Sequence, residues 1–201
     1  MVVAAEVASA DAGQAWEAVQ WTEARQIETL IGHDPDTRSG PEVGVVDGYQ
    51  ALRDAGALST AVAYLSHALP RREAVAWAAR VLEDAARTEP PPPRARHALD
   101  VALRWIGDPS DRHRRAARDA AEGIGNPVAE QFLGKAVFYS GGSIGPAAAP
   151  PVMAPGHVAG RYVAAALGQL ANRSADPEVV LRRSLDLGEQ VARRGLDALA
   201  R

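Results

Sequence analysis

The chain contains no cysteine. That single absence excludes disulfide scaffolds, thiol nucleophiles, thiolate-held zinc and iron–sulfur centres. Histidines are few. His33, His67, His97, His113 and His157 form no H-x₃-H or H-E-x-x-H spacing, so no metal and no cofactor is expected. His33 with Asp34 and Asp36 reads as a solvated loop. Lysine is represented by Lys135 alone, and aromatics make up only 5% of residues. No apolar run reaches the roughly 18 residues of a membrane helix. Met1–Ala10 is apolar, but it lacks a basic start and carries Glu6, so no export signal is read. A cytoplasmic location and no membrane partner are expected. Strand signals are nearly missing too: only Val43-Gly44-Val45-Val46 reads as extended, and glycine interrupts it.

What is present is helical. With 201 residues, 47% of them hydrophobic, the chain is long enough for one domain with its own core. Leu58, Val62, Leu65 and Leu69 fall on one helical stripe, which Pro70 ends. Val75, Ala78, Ala79, Leu82 and Ala86 form the next stripe. The two are expected to pack as an antiparallel hairpin over 58–69 and 70–87. Pro90-Pro91-Pro92-Pro93 reads as a stiff spacer. Asp108-Pro109, Asn126-Pro127 and Asp176-Pro177 each read as a capping residue followed by a proline at the first helical position. Val180, Ser184, Leu187, Gly188 and Val191 share one face of a C-terminal helix, and Leu181, Leu185, Ala192, Leu196 and Leu199 lie beside it. The fold expected is all-α, an irregular array of about eight or nine helices built from helical hairpins. It is expected to form a single helical domain over 1–201, with residues 1–45 a looser N-terminal region.

Charge is segregated along the chain. Residues 1–60 hold ten acids and three arginines, net −7, while the rest holds fifteen acids and nineteen bases, net +4. The overall −3 argues against nucleic acid as a partner. Arg112-His113-Arg114-Arg115 with Arg118 is interleaved with Asp111, Asp119 and Glu122, and reads as a solvated ion-pair face.

One stretch has no periodicity: Ser140–Gly156, SGGSIGPAAAPPVMAPG. Loops this long in a compact domain usually carry function or are disordered. Ser140, Gly141, Gly142 and Ser143 could offer backbone amides to an anion, although the segment lacks the Gly-Lys-Ser/Thr ending of a phosphate loop and the G-x-S-x-G of a nucleophile elbow. Arg71 and Arg72 open a helix, where the dipole disfavours positive charge, so an acceptor is expected nearby. The loop is therefore expected to fold back on the His67–Arg72 corner and to be held there by these arginines. His67, Arg71, Arg72, Trp77, Ser140, Gly141, Gly142, Ser143 and His157 are the candidate residues for binding a partner or an anion. No catalytic residue is proposed. Trp16, Trp21 and Trp105 read as core or half-buried anchors, and Trp77 sits at the edge of its stripe, where an interface residue is also found.

The segments YLSHALPRREAVAWA (64–78), FYSGGSIGP (138–146) and PPVMAP (150–155) resemble an uncharacterised family of bacterial proteins. The resemblance covers about the last two thirds of the chain and implies a link to type VI-like contractile secretion loci. It implies no activity. The chain departs from the family pattern at Ala76-Trp77, where a Trp-Trp pair is expected. The function expected is a non-enzymatic helical adaptor or scaffold that binds another protein. The alternative is an enzyme-like protein that binds an anion or small molecule, using the 67–72 corner and the 140–143 loop. Convergence of corner and loop on one concave pocket would favour the alternative.

Overall fold

The structure is a computed structural model that describes residues 15–146 and 148–200. Among the described residues the fold is all-α, with nine α-helices and no strand. In chain order they are α1 (Ala24–Ile31), α2 (Val45–Asp54), α3 (Leu58–Ala68), α4 (Arg71–Thr88), α5 (Pro93–Gly107), α6 (Asp111–Glu122), α7 (Ala129–Tyr139), α8 (Val158–Arg173) and α9 (Pro177–Arg194). Two 3₁₀ turns, Pro35–Thr37 and Gly195–Leu199, complete the set. No helix among the described residues is long and apolar enough to cross a membrane.

Helix starts follow proline chemistry, with a shift. Asp176 caps α9 as expected, its Oδ1 accepting from the Val179 amide at 3.1 Å with Pro177 in the first position. Asp108 and Asn126 do not cap. Proline holds its predecessor extended, so α6 begins later, at a cap formed by Ser110 Oγ and the His113 amide (3.3 Å), and α7 begins after Val128. Pro70 is the cap residue of α4 rather than its first residue, and its carbonyl accepts from Ala74 at 2.9 Å. The proline run stays extended through Pro92, and Pro93 enters α5. The Val43–Val46 segment makes one isolated bridge, Gly44 with Glu23, before turning into α2.

The expected α3–α4 hairpin is corrected by the packing. The two helices barely touch beyond their shared corner. Each lies instead on α8 and α9, while α6, α7 and α8 pack successively along one another. The reason is steric. A Cβ on Gly188 of α9 would stand 2.6 Å from Leu65 and 2.7 Å from the Trp77 ring, so α3 and α4 both press onto α9 where it lacks a side chain. Gly160 of α8 meets α3 the same way, 2.8 Å from the Ser66 carbonyl. Trp77 is wholly buried and its indole donates to the Ser184 carbonyl at 2.7 Å.

One main core cluster draws residues from all nine helices. Trp16, Ala24 and Ile27 belong to it, so the chain is anchored to the core at these positions; residues 1–14 lie outside the described residues. Two polar ties lock the outer helices. Arg173 of α8 grips the fully buried Glu130 of α7 at 3.0 and 3.1 Å. Tyr49 and Arg53 of α2 reach Glu189 and Asp186 of α9.

Candidate functional site: a clamped loop beside a histidine corner

The 140–157 connection between α7 and α8 is held from α6. Asp111 opens that helix, which places Arg114 and Arg115 three and four residues later, beside its carboxylate. Arg114 donates to Asp111 Oδ1 through Nε (3.0 Å) and Nη2 (2.5 Å), and Arg115 Nε donates to Oδ2 (2.8 Å). The two guanidinium groups hold the Asp111 carboxyl below its ordinary range. Arg114 also donates to the Phe138 carbonyl at 2.6 Å and the Ser143 carbonyl at 2.7 Å. Arg115 adds Gly145 at 3.1 Å and Ser143 at 3.2 Å. Arg114 is only 4% exposed and lies over the Phe138 ring.

The loop then closes on itself. Ser143 Oγ accepts from the amides of Gly145 (3.2 Å) and Val152 (3.0 Å), and the Ile144 amide donates to the Val152 carbonyl at 2.8 Å. Gly142 has φ +65°, and a Cβ there would stand 3.1 Å from the Arg114 guanidinium, so both backbone and space call for glycine. The far side of the turn leaves Val152 53% and Met153 60% exposed.

This corrects two expectations. The α6 arginines are not a purely solvated face, because Arg114 and Arg115 clamp the loop. The loop's main anchors are these residues rather than Arg71 and Arg72. Arg71 reaches the Ser140 carbonyl at 3.5 Å and Arg72 the Ile106 carbonyl at 3.3 Å, both exposed.

The corner itself is built around a buried histidine. His67, near the end of α3, pairs its Nδ1 with the Ala63 carbonyl at 2.7 Å. Its Nε2 is buried without a partner among the described residues. Burial pushes its pKa below the ordinary value, outweighing the hydrogen bond to the Ala63 carbonyl, which acts the other way. Trp21 lies over the corner and donates its indole N–H to the His67 carbonyl at 3.2 Å. Trp21, His67, Arg71, Gly156 and His157 line a cavity of about 670 Å³.

The candidate residues thus divide. His67, Arg71 and His157 converge on this cavity. Arg72, Ser140, Gly141 and Gly142 line a separate one of about 320 Å³ with Trp105 and Asp111. Ser143 is enclosed in the turn. Trp77 is a core residue, which removes it from any surface site. Both loop serines are engaged with backbone, Ser140 Oγ donating to the Val137 carbonyl at 2.7 Å. Sequence reasoning missed Asp111, Arg114, Arg115 and Trp21 as parts of the site. The one local signal was the acid three and four residues before the two arginines, which also describes an ordinary helix surface.

A family model, "Family of unknown function (DUF6931)", matches residues 48–192. The chain belongs to this family. The DUF6931 span takes in the His67 corner, the α6 clamp and the whole loop, while Trp16 and Trp21 lie before it. The search of curated proteins and the search of solved structures returned no match.

Proposed function

We propose that this chain is a non-enzymatic helical adaptor that binds another protein through the 140–156 loop. The observation that carries the reading is the exposure of Val152 and Met153 on a turn fixed by Arg114, Arg115 and Ser143. Exposed apolar side chains on a loop that is already ordered suit docking, because little conformational entropy remains to be lost on binding. Burying each of the two in an apolar cleft contributes about 1.5–3 kcal/mol. The flanking Pro150, Pro151 and Pro155 keep the segment extended. The partner is a protein with an apolar cleft, and the resemblance of the loop and corner segments suggests a component of a type VI-like contractile secretion system. A photo-crosslinking amino acid at Ala154, introduced in the native host, tests this. The expected result is one dominant protein adduct that disappears when Val152→Ser and Met153→Ser are combined. An adduct pattern unchanged by those substitutions would contradict it.

A second reading, binding of a small anion at the corner, is favoured by the convergence of His67, Arg71 and His157 on one cavity. Its test is thermal denaturation with inorganic phosphate or acetate. A saturable rise in Tm that is lost in Arg71→Ala supports it, and an unchanged Tm removes it.

A further inference from the structure

Away from the loop and the corner, α5 and α6 enclose an open groove of about 880 Å³. Arg94, His97, Arg104, Arg112 and His113 line it, against a single acid, Asp119. That acid is already paired with Arg118 at 2.7 Å. Arg94, Arg104 and Arg112 are exposed, and none has a carboxylate partner among the described residues. Arg94 and Arg104 make only long contacts of 3.4 Å with backbone carbonyls. Three guanidinium groups thus share a concave surface without counter-charge, an arrangement complementary to an acidic segment.

The chain also carries such a segment. The turn Asp34-Pro35-Asp36-Thr37 follows α1, with Glu42 beyond it; Asp34, Asp36 and Glu42 are exposed with no ion pair among the described residues, and the one base between them, Arg38, turns its guanidinium onto the His33 carbonyl at 2.7 Å. Asp34 Oδ1 accepts from the Asp36 amide at 3.0 Å, which fixes the turn's shape. The two surfaces belong to different parts of the fold. α1 packs on α2 and α3, whereas α5 and α6 pack on each other and on α7. Among the described residues the acidic turn and the basic groove therefore lie on separate elements of the fold.

We infer that the α5–α6 groove receives the acidic 34–42 segment of a second copy of this chain. Each copy then offers one groove and one segment, so the contact is head-to-tail and can extend beyond two copies. The attraction is between exposed charges and is screened by salt. The contact is independent of the adaptor reading, since neither Val152 nor Met153 takes part.

Charge reversal tests the inference directly. Two double variants are needed, Arg104→Glu with Arg112→Glu in the groove, and Asp36→Arg with Glu42→Arg in the segment. All four positions are exposed, and Asp34 is left in place to keep the turn. Circular dichroism establishes that both variants fold. Sedimentation velocity is then measured over a range of protein concentrations at about 0.05 M and about 0.5 M salt. The expected result is concentration-dependent association of the wild type at low salt, lost at high salt and lost in each double variant. An equimolar mixture of the two variants should associate again, because the native segment of the groove variant meets the native groove of the segment variant and the reversed groove meets the reversed segment. A wild type that stays monomeric at low salt, association indifferent to either reversal, or a mixture of folded variants that fails to associate would each overturn the inference.

Discussion

Two arginine pairs sit near the start of their helices, Arg71 and Arg72 on α4 and Arg114 and Arg115 on α6, and their surroundings give them different roles. The first pair is exposed, and each member makes one long contact with a carbonyl. The second is anchored by Asp111 and reaches three carbonyls on and beside the loop, with Arg114 almost wholly buried. The chemistry of the donors is identical. Shelter from water and a carboxylate that fixes the guanidinium plane decide which pair orders the loop.

The largest test of this difference is Arg114→Ala. It leaves the buried Phe138 carbonyl without its side-chain donor and the Ser143 carbonyl with only the longer contact from Arg115, and should lower stability by about 3 kcal/mol. The midpoint of denaturant unfolding measures it. Arg114→Lys should recover little, because one ammonium cannot span Asp111, Phe138 and Ser143 as the planar fork does. Next in size is Gly142→Ala, which places a Cβ against the Arg114 guanidinium at a left-handed φ. A loss of about 1–2 kcal/mol in the same assay is expected.

On the corner side, stability should depend on the charge of His67 more than on the arginines. Burial lowers its pKa in the folded state below the ordinary 6.5, so the unfolded chain takes up the proton first. Stability should therefore fall as pH drops through about 6.5 and level off below the folded-state pKa. Unfolding midpoints across that range in the wild type and in His67→Gln measure the effect, and the variant should lose this component of the slope. The smallest change is expected for Arg71→Ala and Arg72→Ala, each within about 0.5 kcal/mol of wild type, as for other exposed contacts. A loss as large as that of Arg114→Ala would erase the distinction between the two pairs.

Much of the helical order was readable from local pattern. The stripe Leu58-Val62-Leu65 lies inside α3, and Asp176-Pro177 starts α9 where the sequence places it. Both depend on neighbours in the chain. The α3–α4 hairpin failed because the choice of packing partner rests on distant glycines: Gly188 and Gly160 open space on α9 and α8 that no pattern within residues 58–87 reveals. The site was legible only in pieces. His67, Arg71 and His157 do meet, and the loop is held at residues 143–145 and 152. Which arginines hold it could not be read, because Asp111-x-x-Arg114-Arg115 has the spacing of any exposed helix pair. Only the path of α7 past α6 brings Phe138 and Ser143 to it.

The central claim is that α6, not the corner, holds the loop, and amide hydrogen exchange tests it most directly. The amides of Ile144, Gly145 and Val152 should be protected in the wild type and in Arg71→Ala, and should exchange at unprotected rates in Arg114→Ala while the α8 amides stay protected. Loss of protection at those three amides in Arg71→Ala, with protection retained in Arg114→Ala, would contradict the account.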